Sequence, residues 1–100
     1  MEKKRPHYDL GSIKAAFTTP PSLRITKAAL TTAEVLGLTL DDIVALVQTI
    51  SRDHFYKSMT SLADHRIWQD VYHAHVGDLV LYVKFTTDSE GYLVVSLKEK

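Results

Sequence analysis

The sequence predicts an α+β domain, with N-terminal helices packed on one face of a mainly antiparallel sheet. Apolar residues follow helical spacing as far as Ile50, then alternate strictly from Phe55 onward. The last two alternating runs are joined by "DSEG", a hairpin signal with glycine where a left-handed residue is needed. At 100 residues, 45% hydrophobic and 24% charged, the chain suits one globular domain over residues 1–100, with no room for a second core.

Asp9 suits the N-cap of a short helix running through Phe17, with Leu10, Ile13 and Phe17 on one side. "TTPPS" ends it, because neither Pro20 nor Pro21 can donate a helical hydrogen bond. "LRIT" reads as a short edge strand. Thr26 is placed to cap a second helix that ends at Gly37, a residue suited to the left-handed C′ position. In "TLDDIVALVQTIS", Thr39 and Asp42 resemble a capping box with aspartate in the usual Glu or Gln position. Asp41 and Asp42 also favour the positive end of that helix dipole, and Ile43, Leu46, Val47 and Ile50 form its buried stripe.

Strands are predicted near Phe55–Thr60, Ile67–His73, Leu79–Thr86 and Tyr92–Lys98. In the third, Leu79, Leu81, Val83 and Phe85 face one way, and Val80, Tyr82, Lys84 and Thr86 the other. A three-residue hairpin loop with Asp88 opposite Tyr92 puts Thr86 opposite Val94, Lys84 opposite Ser96 and Tyr82 opposite Lys98. A loop one residue longer or shorter would turn half of the aliphatic set to solvent.

The face opposite the helices then carries Tyr82, Lys84, Ser96 and Lys98. Lys57 shares its parity with Phe55 and Met59, and Gln69 with Ile67 and Val71, so Lys57 and Gln69 can join them on one concave patch. Trp68 and Tyr72 fall on the opposite parity and are expected to pack toward the helices. A single strand lysine is explained by edge protection, and a single tyrosine by sheet cover.

Twelve basic and twelve acidic residues give a net charge of zero, without the basic excess of a non-specific nucleic-acid binder. A local basic site remains compatible with that balance. No cysteine is present, which removes disulfides, thiolate catalysis and Cys-based zinc sites and fits a reducing compartment. "MEKKRPHYD" leads into no apolar signal region, and no apolar run approaches the ~20 residues of a membrane span. A cytoplasmic location is expected. His73 and His75 project from one strand face, a spacing compatible with metal ligation, with Asp64, His65 and Asp70 near in sequence. A definite third ligand is missing, and solvated histidines at a strand end are the simpler reading.

The blocks "HFYKSMT", "DHRIWQDVY", "LYVKF" and "VSLKEK", in that order, resemble the MqsR toxins. These are the ribonuclease halves of bacterial type II toxin–antitoxin pairs, with a RelE-like fold. The resemblance spans nearly the whole chain, from "MEKKRPH" to the terminal "VSLKEK". It implies a growth-inhibiting endoribonuclease that cuts messenger RNA at GCU-like sites, without a metal, another cofactor or the ribosome. It also implies an MqsA-type antitoxin partner that holds the zinc- and DNA-binding functions, so that this chain binds no DNA directly.

By the same resemblance the catalytic set falls on Lys57, Gln69, Tyr82 and Lys98, with Met59 close by. We expect Met59, Lys84, His73 and His75 to contact RNA, the histidines most strongly below about pH 6.5, where they carry charge. Lysines can stabilise a phosphorane, and a lysine beside another cation can lose enough pKa to serve as a base. Tyr82 can exchange a proton, and Gln69 can orient a phosphate or ribose. The alternative is a non-catalytic RNA-binding or protein-interaction module, in which Trp68, Tyr72, Tyr82 and Tyr92 offer a stacking surface.

Overall fold

Side-chain caps set the helices of the N-terminal half. In the computed structural model, which describes residues 1–100, Asp9 accepts a hydrogen bond from Ser12 N and starts α1 (Leu10–Ala16). Thr26 accepts from Ala29 N at the start of α2 (Lys27–Val35). Thr39 and Asp42 bond reciprocally at the start of α3 (Leu40–Thr49), so aspartate completes the capping box. None of these helices is long and apolar enough to cross a membrane.

The two prolines form a 3₁₀ turn, Pro20–Ser22. "LRIT" departs from the edge strand expected of it, making a single parallel bridge from Ile25 to Val95. The proline turn before it and the α2 cap after it leave only Arg24 O and Thr26 N to bond the backbone of Val95.

Five strands follow one another across an antiparallel meander: β1 (Glu2–Lys3), β2 (Phe55–Thr60), β3 (Trp68–Val76), β4 (Leu79–Thr87) and β5 (Leu93–Glu99). All three helices pack on one face. Ile13, Phe17, Leu46, Val47 and Ile50 meet Tyr72, Ala74, Leu81, Val83, Phe85 and Val95, while Ala29, Ala33 and Ile43 cover Leu97. This is the expected α+β arrangement of a RelE-like fold.

The last hairpin has the predicted register, with Thr86 opposite Val94, Lys84 opposite Ser96 and Tyr82 opposite Lys98. Asp88 and Tyr92 close its loop, and Gly91 has φ +86°. No atom lies near the place of a Cβ on Gly91, so a substitution there is penalised by backbone strain alone. Gly91→Val should destabilise the fold by about 1–3 kcal/mol in urea denaturation. An unchanged midpoint would mean that the loop relaxes at no cost.

Three features differ from the sequence reading. β1 has no counterpart among the strands that alternation predicts; it pairs with β2, Glu2 opposite Met59 and Lys3 opposite Ser58. β3 continues past His73 to Val76, because Ala74 is buried in the core and Gly77 (φ +58°) turns the chain within a two-residue loop. Finally, a bulge at Tyr56 separates the pairs Phe55–Tyr72 and Lys57–Val71. The extra residue puts Phe55 on the helix-covered face while Lys57 and Met59 stay on the open one, so Phe55 and Lys57 do not share a face.

Asp70, fully buried, ties the N-terminal segment to this sheet. Its carboxylate accepts from Ser58 Oγ at 2.6 Å, from His7 N at 2.9 and 3.0 Å, and from Tyr8 N at 2.8 Å. Trp68 faces the same side but is covered by this segment rather than by the helices: the His7 ring stacks on it, and Lys3 Nζ sits 4.2 Å from its centroid. Tyr72 does pack under the helices, where burial pushes its pKa up to about 12 and leaves its hydroxyl unpartnered. Of the four aromatics that could offer a stacking surface, Tyr72 is thereby removed.

Candidate active site

Strand register assembles the open face in rows. Lys57, Val71, Lys84 and Ser96 lie side by side across β2 to β5, and His73, Tyr82 and Lys98 form the next row across β3 to β5. Met59 lies opposite Gln69 beyond the first row. Cross-strand neighbours on one face approach within about 5 Å at Cβ, so long side chains from both rows meet.

They enclose a cavity of about 220 Å³ lined by Lys57, Lys84, Lys98 and Tyr82, with Tyr56, Met59 and Val71 as its less polar walls. Gln69 opens instead onto a neighbouring recess of about 510 Å³, which shares Met59 and Lys84 with the first. The structure therefore brings together Lys57, Met59, Tyr82, Lys84 and Lys98, and places Gln69 next to them across a common wall. A chain of zero net charge thus concentrates three ammonium groups on one concave surface.

Lys57 Nζ lies 2.6 Å from Glu2 Oε1. This bond raises the Lys57 pKa and lowers that of Glu2. Lys57 therefore does not lose its proton as a crowded lysine can, because its hydrogen bond to a carboxylate from β1 outweighs the burial that would lower its pKa.

His73 sits between two tyrosine rings, 4.5 Å from Tyr56 and 5.0 Å from Tyr82, with its Nε2 buried and unpartnered. Burial, then Lys100 and His75, lower its pKa. It is no solvated strand-end histidine, and the charge expected of it below pH 6.5 is opposed by its surroundings. His75 is exposed and lies outside the lysine cavity, toward α3. Nowhere do three His, Cys, Asp or Glu side chains converge, and Asp70 is occupied on the opposite face by the N-terminal segment.

Two residues of this face carry no signal in the sequence. Tyr56 walls the cavity and stacks on His73 because of the bulge, which alternation cannot reveal. Glu2 reaches Lys57 only through β1, a two-residue strand too short to carry a period.

This arrangement can bind a phosphate through ammonium groups, place a phenol beside it, and hold a second portion of a polymer in the recess beside Gln69. A family model described as "Motility quorum-sensing regulator, toxin of MqsA" matches residues 5–99. The chain is also 40% identical, over 100 residues that cover the whole of both sequences, to the mRNA interferase toxin MqsR of Escherichia coli (strain K12).

Proposed function

The chain belongs to the MqsR toxin family, and from that premise we propose that it cuts messenger RNA with the lysine–tyrosine face of its sheet. The observation that carries this reading is the cavity shared by Lys57, Lys84, Lys98 and Tyr82. In the proposed reaction a ribose 2′-hydroxyl loses its proton and attacks the adjacent phosphorus. The bond to the 5′-oxygen breaks, that oxygen takes up a proton, and a 2′,3′-cyclic phosphate remains.

Lys57, held protonated beside Glu2, and Lys98 stabilise the charge that develops on the phosphorane. Tyr82 relays a proton, and Gln69 orients the strand from the adjoining recess. Met59 and Lys84, which border both spaces, contact the RNA between them. His73 contributes as a neutral ring that supports Tyr82, and His75 contacts RNA outside the cavity.

Family membership brings a cognate antitoxin partner. The finer reading is an MqsA-type protein that holds zinc and binds DNA, with this chain acting in the cytoplasm, independently of the ribosome and of metal, at GCU-like sites.

Purified protein incubated with a long RNA in excess EDTA should give discrete new 5′ ends clustered at such sites. Expression of the chain should arrest growth, and co-expression of the neighbouring antitoxin should restore it. RNA binding without new termini would return the chain to the non-catalytic module, and cleavage that needs a divalent ion would move the chemistry away from the lysines.

A further inference from the structure

Three lysines line the cavity, and the one carboxylate bonded to any of them is Glu2. Its place is built by the fold. β1 pairs in register with β2, which turns Glu2 to the open face diagonally from Lys57 and turns Lys3 to the other face over Trp68. The chain just beyond β1 is held by the Asp70 carboxylate through His7 N and Tyr8 N, so the strand is fastened at both of its flanks by the sheet.

We propose that Glu2 is a positioning residue of the ribonuclease site: its carboxylate orients the Lys57 ammonium toward the cavity and balances its charge, so that Lys57 meets the charge that develops on the phosphorane. The proposal rests on the reading of this cavity as a ribonuclease site.

The surroundings of Lys57 give such a partner a role. Around it are Glu2 from β1, Tyr56 on β2, Tyr82 and Lys84 on β4, and Lys98 on β5, with Lys4 and His73 packed on the Tyr56 ring. Glu2 is the one carboxylate among these groups, and burial disfavours the charged form of a lysine. Glu2 opposes that tendency, and the pKa of Lys57 is raised accordingly.

The pair is also suited to sharing. An ammonium has three donors, so one bond to Glu2 leaves two for phosphate oxygens. The two side chains are 23% and 54% exposed, so an incoming anion can reach the pair without either charge being fully buried.

Glu2→Gln tests the proposal, because it removes the charge and keeps the shape. Circular dichroism and the melting temperature should stay those of the wild type. The turnover number should fall roughly 10–100-fold, the scale of a displaced reactive group, with no rise in KM. The alkaline limb of the rate profile should move to lower pH, since Lys57 would lose its proton more readily, and Glu2→Asp should recover part of the rate. Carbon-13 NMR of the lysine side chains should show Lys57 titrating at lower pH in Glu2→Gln than in the wild type. An unchanged turnover number and alkaline limb would overturn the proposal. So would a gain in kcat/KM, which would make Glu2 only a competitor for the phosphate. A wild-type chain that cuts no RNA would remove the ribonuclease reading and the positioning role with it, while the NMR titration would still decide whether Glu2 and Lys57 pair in solution.

Discussion

Tyr82→Phe is expected to lower RNA cleavage by roughly 10²–10⁴-fold, the span typical of a lost proton-transfer group, while the protein stays folded. Tyr82 is half-buried in the middle of β4, with His73 beside its ring and Lys98 opposite it on β5. Phenylalanine keeps the ring, and with it the packing against His73 and the wall of the cavity. Only the hydroxyl is lost, at the point where the lysines of three strands converge. The measurement is single-turnover cleavage of one defined RNA, with circular dichroism and RNA affinity determined on the same samples. Affinity should change little, because the three ammonium groups of the cavity remain. Cleavage within about threefold of the wild type would reduce Tyr82 to sheet cover and leave the proton transfer to another group.

Half of this site was legible in the sequence, for a definite reason. "DSEG" with Gly91 fixes the β4–β5 register, and once two alternating strands are locked together, Tyr82, Lys84 and Lys98 must share a face. Gln69 and Val71 follow from the same alternation in β3. Lys57 lies on the face that alternation gives it, although Phe55, two residues earlier, lies on the other one. Parity with Met59 holds because both follow the bulge, and parity with Phe55 fails because Tyr56 intervenes. A bulge adds one residue without changing composition, so alternation alone does not reveal it. β1 was hidden for a different reason: its two residues carry no period, and its position comes from β2 at its side and Asp70 beyond it. With β1 hidden, so was Glu2, and a lysine that looked able to lose its proton is held charged instead. The chemical roles drew on the resemblance carried by "HFYKSMT" and "DHRIWQDVY"; alternation supplied only the faces.

The largest loss of stability is expected from Asp70→Ala. The carboxylate is fully buried and satisfies three separate donors, Ser58 Oγ, His7 N and Tyr8 N. Alanine removes every acceptor and leaves those donors facing a small void. A buried donor left unpaired costs about 1–3 kcal/mol, and the two amides lie only partly buried, where water can reach them. The total should therefore be about 2–4 kcal/mol in urea denaturation, against about 1 kcal/mol for Ser58→Ala, which removes one bond and keeps the grip on the N-terminal segment. The chain has a single tryptophan, and that residue reports on the same contact. Trp68 is covered by His7 and Lys3, so releasing the segment should expose its ring and shift its fluorescence to the red, even where the rest of the protein stays folded. Release of the segment also loosens β1 and withdraws Glu2 from Lys57, so Asp70→Ala should carry the turnover defect of Glu2→Gln in addition to its instability. A variant within about 1 kcal/mol of the wild type, with unshifted fluorescence, would mean that β1 is held by its pairing with β2 and that the buried carboxylate is dispensable.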